Sequence, residues 1–220
     1  MGHFPEFYVL VPEGNLTEGR WQTTTKLLGT IRNSEVKEFT TATPEEPVEL
    51  HGEARISLGE EWLDISLRSY AGDRVEGALH WPLPQGLGFI RGYIDYKWAP
   101  RDSDQAEAIM AAMRAVFAGM GGVFANVANE LGYEEVMTFE DFMKCHEGYL
   151  IFSKELVDMV GMDRLEAAGL TMDFGEGVEL RTWTPWVPEG AYPDDVMRSW
   201  ADERGIIDDL LGQAGVLESE

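Results

Sequence analysis

SDQAEAIMAAMRAVFAGMGGVFANVANELG, residues 103–132, is the one long stretch in which apolar side chains keep a helical period through several turns. Ile109, Met113, Val116, Phe117, Met120, Val123, Phe124, Val127 and Leu131 recur at offsets of three, four, seven and eight, which gathers them on one broad face. A face of that kind needs a partner layer, so the segment reads as a central helix from Ser103 to about Gly132. Its start is marked by Asp104 with Glu107 three residues on, a capping-box pattern whose carboxylates suit the positive end of the helix dipole. Its middle is weaker. Gly119, Gly121 and Gly122 each cost about 1 kcal/mol relative to Ala, so the reading allows a bend or a break there.

Outward from this helix, the preceding residues read as strands. EFYVLV at Glu6–Val11 is a buried strand ended by Pro12, Gly14 and Asn15. Leu16–Ile31 spaces Trp21, Leu27, Leu28 and Ile31 helically, against the poor helix propensity of Thr23, Thr24 and Thr25. Glu35–Pro47 reads as a strand end followed by an exposed loop. Five β-like segments follow: Val48–Leu50, Ala54–Leu58, Trp62–Tyr70, Val75–Trp81 and Gly88–Trp98. Within Trp62–Tyr70, Leu63, Ile65 and Leu67 alternate with Asp64, Ser66 and Arg68, and the Gly72-Asp73 pair predicts a hairpin with the segment from Val75. In the last strand Phe89 and Arg91 share one face.

Beyond the helix, Thr138 with Asp141 suggests a short capped helix through Phe142. Tyr149–Phe152 is an apolar strand, and Ser153 caps a helix running past Leu165 to Gly169. Leu170–Phe174 and Val178–Trp183 flank Gly175-Glu176-Gly177 as a hairpin. Pro185, Pro188, Gly190 and Pro193 then stiffen a connector into a final amphipathic helix from Asp194. The fold class expected is α+β: an antiparallel meander packed against a long central helix, with further C-terminal helices and a hairpin. One domain over 1–220 is expected, divisible into 1–132, sheet plus helix, and 133–220, an acidic C-terminal part.

Charge is the dominant compositional fact. Forty acidic residues stand against 17 basic ones, a net of -23 in 220 residues, while 44% apolar content with seven Trp and ten Phe excludes a disordered chain. Residues 1–129 hold 18 acids and 11 bases, a net of -7, and residues 130–220 hold 22 and 6, a net of -16. Such a chain repels nucleic acid and anionic membrane and attracts cations, so a basic protein partner is expected. Cys145 is the single cysteine, which excludes an internal disulfide and a multi-thiolate zinc site. No basic n-region opens the sequence and no apolar run approaches the roughly 20 residues of a membrane span, so a cytoplasmic location is expected.

Catalytic motifs are not visible. Cys145-His146 are adjacent, and neighbours in sequence point apart, whereas an activated thiolate needs an imidazole placed in space. His3, His51 and His80 stand singly, without HExxH spacing. The glycines at 119–122 fit no phosphate loop, and close helix packing is the simpler account. Glu134-Glu135, Asp194-Asp195 and Asp208-Asp209 lack calcium-loop spacing, so no metal and no cofactor is expected. The recognition candidates are Trp183, Trp186 and Tyr192 on the proline-stiffened connector, among Glu189, Asp194 and Asp195, where rings would supply burial and carboxylates charge. Packing of both tryptophans under the last helix is the alternative. Three functions follow: a non-catalytic acidic protein that neutralises a basic partner, of toxin-immunity, anti-defence or nucleic-acid-mimic type; a small-molecule enzyme or ligand-binding domain assembled from distant residues; or acidity that serves solubility alone.

Overall fold

The computed structural model describes residues 5–31, 34–41, 50–58, 61–70, 75–76, 87–94, 103–129, 137–138 and 149–181. They form strands β1 (Pro5–Pro12), β2 (Ser34–Thr41), β3 (Leu50–Leu58), β4 (Glu61–Tyr70), β5 (Val75–Glu76), β6 (Leu87–Ile94), β7 (Phe124–Asn129), β8 (Met137–Thr138), β9 (Tyr149–Ser153), β10 (Leu170–Asp173) and β11 (Gly177–Arg181). The helices are α1 (Glu18–Leu28), α2 (Ser103–Met120), α3 (Lys154–Val160) and α4 (Met162–Ala168). Nine strands make one sheet in the order β10-β11-β9-β7-β1-β6-β4-β3-β2, with antiparallel neighbours throughout. This is an α+β fold.

The sheet is built around β1. Val9 sits opposite Ile90 on one side and Ala125 on the other, and Phe7, Val9 and Val11 bury completely against the helices. Ile109, Met113, Val116, Phe117 and Met120 of α2 complete that core together with Trp21 and Leu28 of α1. Tyr8, Leu10, Phe89, Phe124, Leu150 and Phe152, on the opposite sheet face, are buried as well. Two buried faces explain why EFYVLV reads as an unbroken apolar run instead of an alternating one.

The helix predicted to reach Gly132 ends at Met120, and Val123, Phe124 and Val127 belong to a chain reversal and strand β7. The stop is a Schellman turn: Gly122 N–H donates to Phe117 O at 2.8 Å, Gly121 N–H to Ala118 O at 3.4 Å, and Gly121 takes the left-handed φ of 65°. Asn15 Nδ2 covers the freed carbonyls, donating to Met120 O at 3.0 Å and Gly121 O at 3.3 Å. Val123 N–H then enters the sheet by donating to Leu10 O at 2.8 Å. Gly119 serves packing. A Cβ there would lie 2.2 Å from Thr24 Oγ1 and 2.6 Å from Thr24 Cα, so its hydrogen lets α1 and α2 touch.

Other expectations are corrected in the same terms. Thr23, Thr24 and Thr25 remain helical because each hydroxyl donates to the carbonyl four residues back, at 3.0, 3.1 and 2.9 Å. Ser34–Thr41 is a full edge strand, and Leu50 joins Ala54–Leu58 in the single β3, whose backbone runs through Gly52, while Val48 and Glu49 lie outside the described residues. The hairpin predicted across Gly72-Asp73 does not form: β4 lies between β3 and β6, while β5 pairs in parallel with β8. Thr138 is therefore a strand residue, and the rest of its predicted helix falls outside the described residues. Ser153 does cap a helix, accepting from Leu156 N–H at 3.3 Å, but Gly161 at φ 92° divides the predicted helix into α3 and α4. The hairpin of β10 and β11 forms around Gly175 at φ 96°. The last helix from Asp194 lies outside the described residues.

Candidate functional site

Trp183, Trp186, Glu189, Tyr192, Asp194 and Asp195 lie outside the described residues, as do Cys145, His146 and the acidic pairs 134–135 and 208–209. Among the described residues, no three His, Cys, Asp or Glu side chains converge to hold a metal ion. Nor is any helix there long and apolar enough to cross a membrane. What the fold does assemble is a ring of four charges that the sequence reading did not identify.

The ring joins α2 to β11. Arg114 donates to Glu179 Oε2 at 2.5 Å and to Glu107 Oε1; Arg181 donates to Glu107 Oε2 at 2.9 Å and to Glu179 Oε1. All four carboxylate oxygens thus accept from a guanidinium. Glu179 is completely buried because it stands opposite Ile151 on the helix-covered face, whereas Glu107 reaches the surface with 49% of its side chain exposed. Burial works to raise the Glu107 carboxyl, but the hydrogen bonds from Arg114 and Arg181 outweigh it and hold that group below its ordinary value. Burial and the two carboxylate hydrogen bonds oppose each other at Arg181 as well, and the bonds prevail, raising it further above its already high value. The Arg181 guanidinium lies 5.3 Å from the centroid of Tyr149, whose hydroxyl is pushed up to about 12, mainly by burial.

A charge-neutral ring with every carboxylate oxygen engaged offers no spare base or nucleophile. Its effect is to fix the helix on the sheet. A second buried carboxylate behaves alike: Glu6, fully buried on the other face of β1, accepts from Tyr8 Oη and from Arg91. Sequence signals for the ring did exist. Glu107 and Arg114 are seven apart on a helix, and Glu179 and Arg181 two apart on a strand, so each pair shares a face. What could not be read was that these two faces meet.

Among the described residues, Glu6 and Glu179 are the buried acids, and both are compensated inside the fold. Exposed Glu155, Asp158, Asp163, Glu166 and Glu176 lie on α3, α4 and the turn between β10 and β11, and none forms an ion pair among the described residues. Lys154 is engaged by Asp173 at 2.5 Å. That bond, with the one from Gly175 N–H, holds the Asp173 carboxyl below its usual value. On β10, Leu170 and Met172 are 69% and 40% exposed.

Comparison with known proteins adds a fold and no family. No family model matches the chain, and no curated protein matches it in sequence. Among solved structures it is similar to the Pseudomonas aeruginosa T6SS protein PA0821, with a TM-score of 0.50 and 9% identity, over 98% of this chain and 74% of that one. At that identity the likeness is one of fold.

Proposed function

We propose that this chain is a non-catalytic acidic protein, working in the cytoplasm as one α+β unit, that binds and neutralises a basic protein partner in the manner of a toxin-immunity protein. The observation that carries the reading is the net charge of -23, with -16 of it in residues 130–220. A field of that sign raises the encounter rate with a cationic protein and rejects nucleic acid and anionic lipid. Among the described residues the buried acids Glu6 and Glu179 are each held by arginine, so neither is a charge that a basic partner would meet. A fold shared with a T6SS protein is compatible with an immunity role and does not by itself argue for one. Within the same reading, Trp183, Trp186, Glu189, Tyr192, Asp194 and Asp195 form part of the recognition surface, rings as anchors and carboxylates as the steering charge.

Affinity capture from the source organism tests this, performed in low and in high salt. The reading expects a basic protein held at low salt and released by high salt. Capture of a nucleic acid or of a neutral small molecule that salt does not release would replace it.

A further inference from the structure

Strand β10 closes one edge of the nine-stranded sheet, and its backbone alternation shows what it presents outward. Phe174 N–H donates to Gly177 O at 3.1 Å, and the register continues with Asp173 opposite Val178, Met172 opposite Glu179, Thr171 opposite Leu180 and Leu170 opposite Arg181. In an antiparallel ladder hydrogen-bonded and non-bonded pairs alternate, so Met172 and Leu170 bond inward to β11. Thr171 and Asp173 therefore turn their N–H and C=O groups away from the sheet, and no described residue pairs with them. The side chains flanking these groups are apolar and exposed: Leu170 and Met172 project on the same face, extending the row that ends at Arg181 and Glu179. The same stretch, residues 153–181, carries the exposed acids Glu155, Asp158, Asp163, Glu166 and Glu176, with Arg164 as the one exposed base there that lacks an ion pair among the described residues. Asp173 leaves its outward backbone accessible because its carboxylate is turned to Lys154 and to Gly175 N–H.

We infer that the Leu170–Asp173 edge is a docking strand on which an extended, basic and apolar segment of a protein partner adds as a tenth strand. Backbone bonds to Thr171 and Asp173 supply the pairing, alternate apolar side chains of the segment cover Leu170 and Met172, and its basic side chains meet the acids of residues 153–181. The inference rests on the proposed function and gives it a location. Self-association is the competing occupant, and charge opposes it, because each copy carries a net of -23.

A synthetic peptide of alternating lysine and valine is titrated into the full chain by calorimetry at low salt, with a glutamate–valine peptide as control. Amide exchange is followed by NMR. Binding of the lysine peptide alone is expected, with slowed exchange at Thr171 and Asp173. Thr171→Pro removes an outward N–H without breaking the ladder to β11 and should weaken binding about tenfold, as should Leu170→Ser with Met172→Ser, which alters only exposed side chains. Unchanged affinity in both variants would overturn the edge site while leaving the charge reading intact. Absence of any binding to the parent chain would also overturn it, and salt-dependent capture then decides the charge reading separately. A dimer in sedimentation velocity that Thr171→Pro dissociates would show that the occupant is a second copy.

Discussion

Arg114 and Glu179 meet at 2.5 Å between a helix and a strand 65 residues apart in sequence, and Glu179 has no solvent exposure at all. Burying a carboxylate is unfavourable unless its partners stay in place, so the pair ties the position of α2 to that of β11. Arg114→Met should therefore destabilise by about 1 to 3 kcal/mol in urea unfolding, because Oε2 of a fully buried carboxylate loses its donor and only Arg181 is left on the group. Adding Glu179→Leu should recover most of that loss, since an apolar pair of similar volume removes the charge as well. A double variant no more stable than Arg114→Met would mean that the ring is held by other contacts.

Gly119→Ala decides between two opposing effects. Helix propensity favours alanine by about 1 kcal/mol. Contact at 2.6 Å with the Cα of Thr24 opposes it, and backbone cannot swing aside as a side-chain tip can. Overpacking of this kind costs about 1 to 3 kcal/mol, so the variant should melt below the parent. A higher melting temperature would show that α1 and α2 have room to separate.

Phe117→Ala and Phe124→Ala should each cost about 3 to 5 kcal/mol, as both rings are buried, at 1% and 0% exposure. Phe124 also meets Phe152 edge-on at 5.4 Å between centroids. Chemical denaturation of the two variants checks this, and parent-like midpoints would contradict the placement of the core.

These two rings also show how far the sequence could be read. Period alone joined them in one helix, because Val123, Phe124 and Val127 continue the three-four spacing by coincidence. The stop is written in Gly121 and Gly122, whose cost to a helix was visible but whose left-handed turn depends on Asn15, more than a hundred residues away. Local patterns with complete local causes were legible: the apolar run of β1, the Ser153 cap, the β10–β11 hairpin. Strand pairing was not, since β4 passes over the nearby segment at Val75 to pair with β6, a choice made by non-local registry. The charge ring escaped for the same reason, its halves lying on separate elements. The β10 edge was hidden because exposure of Leu170 and Met172 reflects what the rest of the chain leaves uncovered, and no local pattern encodes that.

The two perturbed groups beside each other predict opposite limbs of a pH profile. Glu107 is depressed below 4.5 in the fold, so its contribution is present above that value and is lost as pH falls through the folded one. Tyr149 is raised from 10.0 to about 12, so its contribution is present below pH 10.0 and disappears as pH rises toward 12. Urea midpoints across pH should show Glu107→Gln with a flatter acid limb and Tyr149→Phe with a flatter alkaline limb. Parent-like slopes on both limbs would mean that neither environment differs from the unfolded chain.

The central claim is that excess acidity recruits a basic partner, and association kinetics read it most directly. With the captured partner, stopped-flow rates should fall steeply as salt rises, and Asp194→Lys with Asp195→Lys should slow association and flatten that dependence more than Glu45→Lys with Glu46→Lys. Equal effects from both reversals would place the steering in a diffuse field. A rate indifferent to salt and to either reversal would contradict the account, leaving the charge as an aid to solubility.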